Sequence, residues 1–478
     1  MIHERSIYLL NPKELSPETI AVAFAKTSRS SKSFSAIAQE LSDETSADFH
    51  EKWVVGYGHA SVAEHAVLHI AVENISRLAI ETLESNRLAS YTEKSSRYQK
   101  WRPDSFYVPA ELNDHPELKT KYQNTCRFLF ETYENALPAV KKVVENMVPC
   151  QKDENPDAWQ QRIRSDYVDV CRYLLPASSL ANVGVTINGR ALEYAIQKMI
   201  SHPLEEVRTI GEEIKIVAEK NIPTLVKYAQ PSAYLQSIYR EIPVISNIRP
   251  SIDPEIFSCR LVSYDQNAEN RVLAAGLYRF GTLSYEQYLQ IVEDMKPEQR
   301  KTLAQQMLGS RSRFDVPIRE LEHAFFTFDV VLDQGAYFEL KRHRMMTQTP
   351  QSLTTKLGFA LPRKLVQAGL RDIFMQAIEM VENTYDDIYQ FNPDAASYIV
   401  PNAYNRRVLL TMNLRTVFHL VNLRAAPNAH FAFRRIANKI REEVLRVSPL
   451  LGSFIYQPDG ETWQSIEDCH FEFTETTH

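Results

Sequence analysis

The stretch EHAFFTF at residues 322–328 decides the fold, because a similar stretch, EHAVLHI, stands at residues 64–70. Each begins with a Glu-His pair and continues as an alternating apolar run. Such a run predicts a half-buried β-strand. Two copies of one landmark indicate an internal repeat if further landmarks recur in the same order.

A polar-basic triplet is the second landmark. About twenty residues after each Glu-His pair lies a triplet, SNR at residues 85–87 and RHR at residues 342–344. Seven residues then separate each triplet from a serine, Ser95 or Ser352.

The third landmark is a proline twelve residues before an Asn-x-Arg sequence. Pro176 precedes the sequence at residues 188–190, and Pro401 precedes the one at residues 413–415. Matching spacings at three places predict a tandem duplication of one unit.

The boundary between the two copies is predicted at residues 231–254, where four prolines fall in a stretch of weak periodicity. Such a stretch is typical of a linker. It would separate a first repeat, residues 1–230, from a second repeat, residues 255–478. Apolar residues at helical spacing predict helices within residues 117–147, 192–217, 365–389 and 416–447. Each half is therefore expected to be a unit of mixed α/β (α+β) class with more helix than sheet.

Composition excludes several classes of protein. The chain has 478 residues, enough for two or three domains, and 44% of them are hydrophobic. Its net charge of −6 argues against a general binder of nucleic acids or membrane surfaces. Five scattered cysteines without a CxxC pair indicate neither a disulfide framework nor a zinc site. Without a spanning apolar stretch or a signal peptide, a cytoplasmic location is expected.

The triplet Arg342, His343 and Arg344 is the first candidate for chemistry. It follows an apolar segment and precedes Pro350, so it should lie near the end of an element. An arginine presents a planar fork of donors that matches phosphate oxygens. The triplet alone favours a basic turn on the surface, since such triplets are common.

The flanking sequence resembles the flavin-dependent thymidylate synthase family. In the second half the resemblance rests on RHR followed by Ser352, on the upstream Glu-His pair, and on NLR and NLRA at residues 413–415 and 422–425. In the first half it rests on Gly58 and His59, on the Glu-His pair, and on LASYTEKSSRY at residues 88–98. The resemblance implies two tandem copies of that family's fold, each a mostly antiparallel sheet with long helices.

The two halves keep complementary parts of the family's site. By resemblance, the first half keeps the residues that hold the nucleotide and its phosphate: Glu93, Ser95, Ser96, Arg97 and Arg172. It has SN in place of the first two residues of RHR, and Met199 at the position of the pyrimidine-facing arginine. The second half keeps the flavin-binding and pyrimidine-facing residues: Arg342, His343, Arg344, Asn413 and Arg424. It has Thr349 and Pro350 around the position of the nucleotide-binding glutamate, Thr354 in place of the loop arginine, and Ser397 in place of the arginine before the Leu-Pro sequence.

Complementary losses predict composite sites between unlike repeats. A charge-assisted phosphate bond contributes roughly 1.5–3 kcal/mol, so a site that lacked two arginines would bind its nucleotide orders of magnitude more weakly. A homodimer that mimics the family's tetramer is expected. Decay into an inactive paralogue with a regulatory role is the alternative.

The resemblance implies FAD as cofactor, with NADPH and methylenetetrahydrofolate as cosubstrates in the conversion of dUMP to dTMP. His65 and His323 are further candidates for flavin contacts, and Arg342 and Arg424 for the catalytic cations. One departure concerns Glu339, because the family usually has glutamine three residues before RHR. An ionised carboxylate accepts hydrogen bonds but cannot donate them, so this departure indicates a different base, a different one-carbon product, or a neutral Glu339 in a dry site.

Overall fold

The computed structural model describes residues 6–27, 30, 32–52, 60–97, 99–246, 258–312, 314–458 and 460–473. The chain divides into two compact units. Unit 1 consists of residues 1–94, 106–116 and 178–252, and unit 2 of residues 95–105, 117–177 and 253–478. The units therefore do not coincide with the halves of the sequence, since unit 2 includes two segments from the first half.

The described residues are rich in helix. Their α-helices are α1 (Pro17–Thr27), α2 (Phe34–Gln39), α3 (Asp43–Phe49), α4 (Arg77–Glu84), α5 (Pro116–Met147), α6 (Pro156–Cys171), α7 (Gly189–Ile200), α8 (Glu205–Glu219), α9 (Pro223–Val226), α10 (Ala233–Ser246), α11 (Ala268–Phe280), α12 (Tyr285–Asp294), α13 (Pro297–Leu308), α14 (Gln334–Leu340), α15 (Arg363–Gln367), α16 (Arg371–Phe391), α17 (Pro393–Ala396), α18 (Leu414–Arg424), α19 (Phe431–Val447), α20 (Pro449–Gly452) and α21 (Trp463–His470). Short 3-10 helices are Ala60–His65, Ala110–Leu112, Arg172–Leu174, Arg319–His323 and Ser397–Ile399. None of the helices in the described ranges is long and apolar enough to cross a membrane.

The strands form antiparallel sheets. They are β1 (Val67–Ser76), β2 (Ala89–Glu93), β3 (Leu180–Asn188), β4 (Cys259–Tyr264), β5 (Phe325–Asp333), β6 (Thr347–Pro350), β7 (Leu361–Pro362), β8 (Asn405–Asn413) and β9 (Phe471–Phe473). Unit 1 contains a sheet of order β1-β3-β2, and unit 2 contains sheets of order β4-β5-β8-β6 and β7-β9.

The strand order confirms the fold class and agrees with a tandem duplication. The arrangement β1-β3-β2 recurs as β5-β8-β6. The register also repeats, because Val67 pairs with Asn188 and Phe325 pairs with Asn413. The alternating runs therefore begin β1 and β5. Each of these strands pairs with a strand that ends at the asparagine of Asn-x-Arg, β3 or β8 respectively. The second sheet differs by the additional strand β4, which pairs with β5.

Two of the landmarks, the Glu-His pair and the Asn-x-Arg sequence, contact each other in both halves of the chain. The glutamate of the Glu-His pair forms an ion pair with the arginine of Asn-x-Arg, Glu64 with Arg190 at 2.6 Å and Glu322 with Arg415 at 2.7 Å. The asparagine caps the following helix, so its side chain accepts a hydrogen bond from a backbone N–H of the first turn. Recurrence of these residues at fixed spacing thus has a structural cause in both halves.

The predicted helical segments are helical, and the linker at residues 231–254 stays a prediction. Residues 117–147 lie in α5, the segment 192–217 is divided between α7 and α8, and the second-half segments lie largely in α15, α16, α18 and α19. Residues 233–246, expected to be irregular, form α10 with Pro243 inside it. Residues 247–254 of the predicted linker lie outside the described residues.

Substitution of Asn413 by alanine is expected to lower the free energy of unfolding by about 1 kcal/mol, because the cap of α18 is lost. The Asn413 side chain accepts hydrogen bonds from the backbone N–H and the hydroxyl of Thr416, both at 2.9 Å. Urea unfolding followed by circular dichroism would measure the change. Asn413→Ser, which retains a capping oxygen, should lose clearly less, and equal losses in both variants would contradict a capping role.

Candidate functional site

Unit 2 brings together arginines from both halves of the sequence. Ser95, Ser96 and Arg97 lie in the segment that follows β2, and Arg172 follows the end of α6. Glu339 lies in the last turn of α14, a helix whose first turn is capped by Asp333. The triplet Arg342–Arg344 follows that helix directly, as the sequence predicted, and Arg424 is the last residue of α18.

Asp169 anchors the arginines of the first half. The Nε of Arg97 lies 3.0 Å from both carboxylate oxygens of Asp169, and its Nη2 lies 2.9 Å from Oδ2. The Nε of Arg172 lies 3.9 Å from Oδ1. Burial raises the pKa of Asp169 above its ordinary value, while Arg172 and Arg97 act in the opposite direction. The carboxylate therefore holds the Arg97 guanidinium in a fixed orientation.

Arg172 is more enclosed than its predicted phosphate contact suggests. Its side chain is 1% exposed, its Nη1 donates to the Ser96 hydroxyl at 3.0 Å, and its Nη2 donates to the Gly335 carbonyl at 3.0 Å. Arg97 is more accessible, at 16% exposed. The geometry thus favours Arg97 for direct contact with an anionic ligand. Arg172, which is buried, contributes positive charge without that contact.

Glu339, Arg424 and His343 form a second cluster on the elements of the second half. Arg424 Nη1 donates to Glu339 Oε2 at 2.5 Å, and Arg424 Nε donates to His343 Nε2 at 2.9 Å. The two charged side chains are nearly buried, with 6% of Glu339 and 13% of Arg424 exposed. The guanidinium is therefore held on two sides before any ligand binds.

The protonation of this cluster follows from its surroundings. Burial of Glu339 opposes its ionisation, but Arg342 and Arg424 outweigh that penalty and the pKa of its carboxyl lies below the ordinary value. Burial, together with the nearby Arg424, also holds the pKa of His343 well below its usual range. The neutral imidazole can accept the hydrogen bond from Arg424. His343, predicted to lie beside a flavin phosphate, instead uses this nitrogen to orient Arg424.

The summed charge of the two clusters is positive. Four arginines act electrostatically on Glu339, namely Arg342, Arg424, Arg172 and Arg97. The carboxyl groups beside these arginines include Asp169, Glu339 and Asp333, and Asp333 interacts with Arg172. The arginines outnumber these carboxyl groups, and such a site attracts an anionic group such as a phosphate monoester.

Several predicted site residues have other surroundings. Glu93 belongs to unit 1, where it forms a buried ion pair with Arg77 at 3.1 Å. His65 also belongs to unit 1 and lies exposed, with its ring 5.0 Å from that of Phe24. His323 lines a cleft of about 690 Å³ together with Tyr278 and charged side chains. Binding roles for Glu93, His65 and His323 stay predictions.

The remaining predicted residues have mainly local contacts. Ser95 accepts a hydrogen bond from the Arg97 backbone N–H at 3.2 Å, and Asn413 caps α18. The backbone N–H of Arg344 donates to the Arg342 carbonyl at 3.1 Å. Gly58 and His59, which carried part of the resemblance, lie outside the described residues.

Sequence reasoning missed Asp169 and His430. Asp169 stands three residues before Arg172, and this spacing places two side chains on neighbouring positions of a helical surface. That spacing was the available signal. His430 is 1% exposed, and its ring stacks 4.4 Å from that of Phe431. Burial, and then Arg172, lowers its pKa well below the usual range. No local pattern distinguishes such a histidine from an ordinary core residue.

Comparison with known proteins shows that both halves of the chain match one family. The family model described as thymidylate synthase complementing protein matches residues 11–224 and again residues 260–450. A UPF0159 protein of Chlamydia muridarum is 32% identical over 435 residues, which cover 87% of this chain and 82% of that protein. A UPF0159 protein of Thermoplasma acidophilum is 26% identical over 448 residues, which cover 87% of this chain and 89% of that protein.

A relative of about half the length aligns with part of the chain. The flavin-dependent thymidylate synthase of Clostridium tetani is 27% identical over 217 residues, which cover 45% of this chain but 83% of that protein. The two separate matches to one family model agree with two copies of one unit. The chain belongs to the thymidylate synthase complementing protein family.

Proposed function

We propose that this protein is a flavin-dependent enzyme that transfers a one-carbon unit to a pyrimidine deoxynucleotide. The observation that carries the proposal is the position of Arg97 and Arg172, from the first repeat, in the same compact unit as Arg342 and Arg424, from the second. The proposed co-reactants are methylenetetrahydrofolate and NADPH. Reductive methylation of dUMP to dTMP is the specific reaction that the family resemblance suggests.

The charged residues fit a phosphorylated ligand. Arg97 would contact the nucleotide phosphate, since its guanidinium is oriented by Asp169 and 16% of its side chain is exposed. Arg172 would stabilise that phosphate through its charge. Arg342 is exposed beside the cluster, and Arg344 follows it, so both suit the phosphates of FAD. A bound flavin would supply the redox chemistry, whereas the protein supplies binding and orientation.

Arg424 suits the role of polarising the pyrimidine. Its guanidinium is fixed by Glu339 and His343, so it is oriented before negative charge develops on a carbonyl oxygen of the base. Preorganised donors of this kind stabilise a transition state without reorganisation during the reaction. Glu339 and His343 are positioning residues in this proposal, because each acts through Arg424.

Purified protein is expected to bind FAD and to show flavin absorbance in visible light. Protein from which any flavin has been removed would be mixed with FAD and passed through gel filtration. The flavin absorbance of the protein peak would then give the fraction of protein that binds FAD. Arg342→Ala should reduce FAD retention, while Arg190→Ala, which removes an equal charge from unit 1, should not. Failure of the wild-type protein to bind FAD would contradict the proposed function.

The reaction itself can be tested by product mass. The protein would be incubated with FAD, NADPH, methylenetetrahydrofolate and each pyrimidine deoxynucleotide in turn. The nucleotide is expected to gain the mass of one CH2, because one methyl group replaces one hydrogen. Binding of FAD and nucleotide without any product would instead indicate the regulatory paralogue. The predicted homodimer can be examined on the same preparation by light scattering.

A further inference from the structure

Glu339 and Arg424 offer adjacent hydrogen-bonding groups beyond the bond that joins them. Oε2 of Glu339 accepts from Arg424 Nη1, and Arg424 Nε donates to His343. Among the described residues, no partner is recorded for Glu339 Oε1 or for Arg424 Nη2. One acceptor atom therefore lies beside a guanidinium that still has N–H donors.

The direction of these hydrogen bonds is fixed by charge. The arginines around Glu339 hold the pKa of its carboxyl below the ordinary value, so the group is ionised at neutral pH. An ionised carboxylate only accepts hydrogen bonds, and a guanidinium only donates them. A ligand that binds this pair must offer a donor to Glu339 and acceptors to Arg424.

Cytosine offers groups in this order. Its 4-amino group is a donor, and the ring nitrogen N3 and the carbonyl oxygen O2 beside it are acceptors. A carboxylate side chain is a suitable partner for the cytosine amino group, as in the reading of bases by proteins. Cytosine can therefore use the carboxylate and two guanidinium donors together.

Uracil matches the pair less well. It has a carbonyl oxygen at C4 where cytosine has the amino group, and its N3 carries a hydrogen. In the orientation that cytosine would adopt, O4 of uracil would face the Glu339 carboxylate, and N3–H would face an Arg424 donor. In another orientation uracil can form two of the three hydrogen bonds that cytosine forms with Glu339 and Arg424. A buried site rejects a ligand that leaves its polar groups unpaired.

We infer that Glu339 and Arg424 select a cytosine deoxynucleotide, such as dCMP, over the corresponding uracil nucleotide. This inference rests on the proposed function, because it names the base taken by that same site. The second repeat thereby supplies the recognition of the base, and the first repeat supplies Arg97 for the phosphate. Glu339 is the specificity-determining residue.

The test compares binding of dCMP and dUMP to the full-length protein by isothermal titration calorimetry, with and without FAD. The wild-type protein is expected to bind dCMP about 10-fold or more tightly than dUMP, since a good bidentate pair discriminates between bases by roughly this factor or more. Glu339→Gln, whose amide can donate to O4, is expected to reduce or reverse the ratio. Glu443→Gln, which changes the half-buried partner of Arg446, is the control and should leave the ratio unchanged.

Each outcome bears on one proposal. Equal or tighter binding of dUMP by the wild-type protein would overturn the selection of cytosine while leaving pyrimidine nucleotide binding intact. An unchanged ratio in Glu339→Gln would overturn the role of Glu339. Absence of binding by both nucleotides, with or without FAD, would instead count against the proposed function. The comparison of dCMP with dUMP binding by the wild-type protein tests the selection of cytosine even if Glu339→Gln does not fold.

Discussion

Arg424→Met is expected to lower the free energy of unfolding at neutral pH by about 3 kcal/mol, because it leaves the Glu339 carboxylate without its hydrogen-bonded partner. Only 6% of the Glu339 side chain is exposed, so water cannot replace the lost ion pair. The nearby Arg342 limits the penalty, since its charge still favours the ionised carboxylate. Urea unfolding monitored by circular dichroism at pH 7 would measure the change.

A double-mutant cycle separates this effect from simple loss of packing. Glu339→Met combined with Arg424→Met removes both charges, and replacing a whole buried pair by apolar groups is often nearly neutral. The double variant should therefore lose clearly less stability than Arg424→Met alone. If the double variant loses the sum of the two single changes, the pair has no coupling and the interpretation is wrong.

The pH dependence of the wild-type protein follows from the same carboxyl. Its folded pKa lies below the ordinary value, so the folded state favours the ionised form more than the unfolded chain does. The stabilisation from Glu339 is therefore present above the unfolded pKa and is lost as the pH falls through the folded pKa. The stability difference between wild type and Arg424→Met should narrow over that acidic range.

Arg97→Ala and Arg342→Ala are each expected to abolish most activity, and mixing the two variants is expected to restore none. Arg97 comes from the first repeat and Arg342 from the second, yet both belong to unit 2 of one chain. Exchange of subunits cannot return a complete set of arginines to one chain. Loss of one charge-assisted phosphate bond, at roughly 1.5–3 kcal/mol, should weaken nucleotide binding by about 10-fold to 150-fold in Arg97→Ala.

The complementation experiment needs a folded control of the same charge. Arg190→Ala removes one exposed arginine from unit 1, whose partner is Glu64, and should keep activity and nucleotide affinity. The variants would be mixed under conditions that exchange subunits, and activity would be compared with each variant alone. Recovery of about one competent site per dimer would show that the site is shared between chains, and would contradict its assembly within one chain.

Sequence alone was sufficient for the duplication, whereas the complementary losses are what the family resemblance implies. The landmarks at residues 64–70 and 322–328 recur because the repeated strand register and helix caps require the same residues at the same spacing. The presence of RHR at residues 342–344 and of SNR at residues 85–87 is equally visible as residue identity. These features are local in the chain, so spacing and residue type are enough to reveal them.

The tertiary structure decided which side chains are free to meet a ligand. Arg172 is enclosed and donates hydrogen bonds to Ser96 and to the Gly335 carbonyl. His343 accepts a hydrogen bond from Arg424 and so orients it. It also assigns segments 95–105 and 117–177 of the first half to the same unit as the second half. Such partners are far apart in sequence, and their distances depend on how helices and strands pack. Neither periodicity nor composition contains that information. The presence of Glu339 where the family usually has glutamine therefore did not predict its ion pair with Arg424.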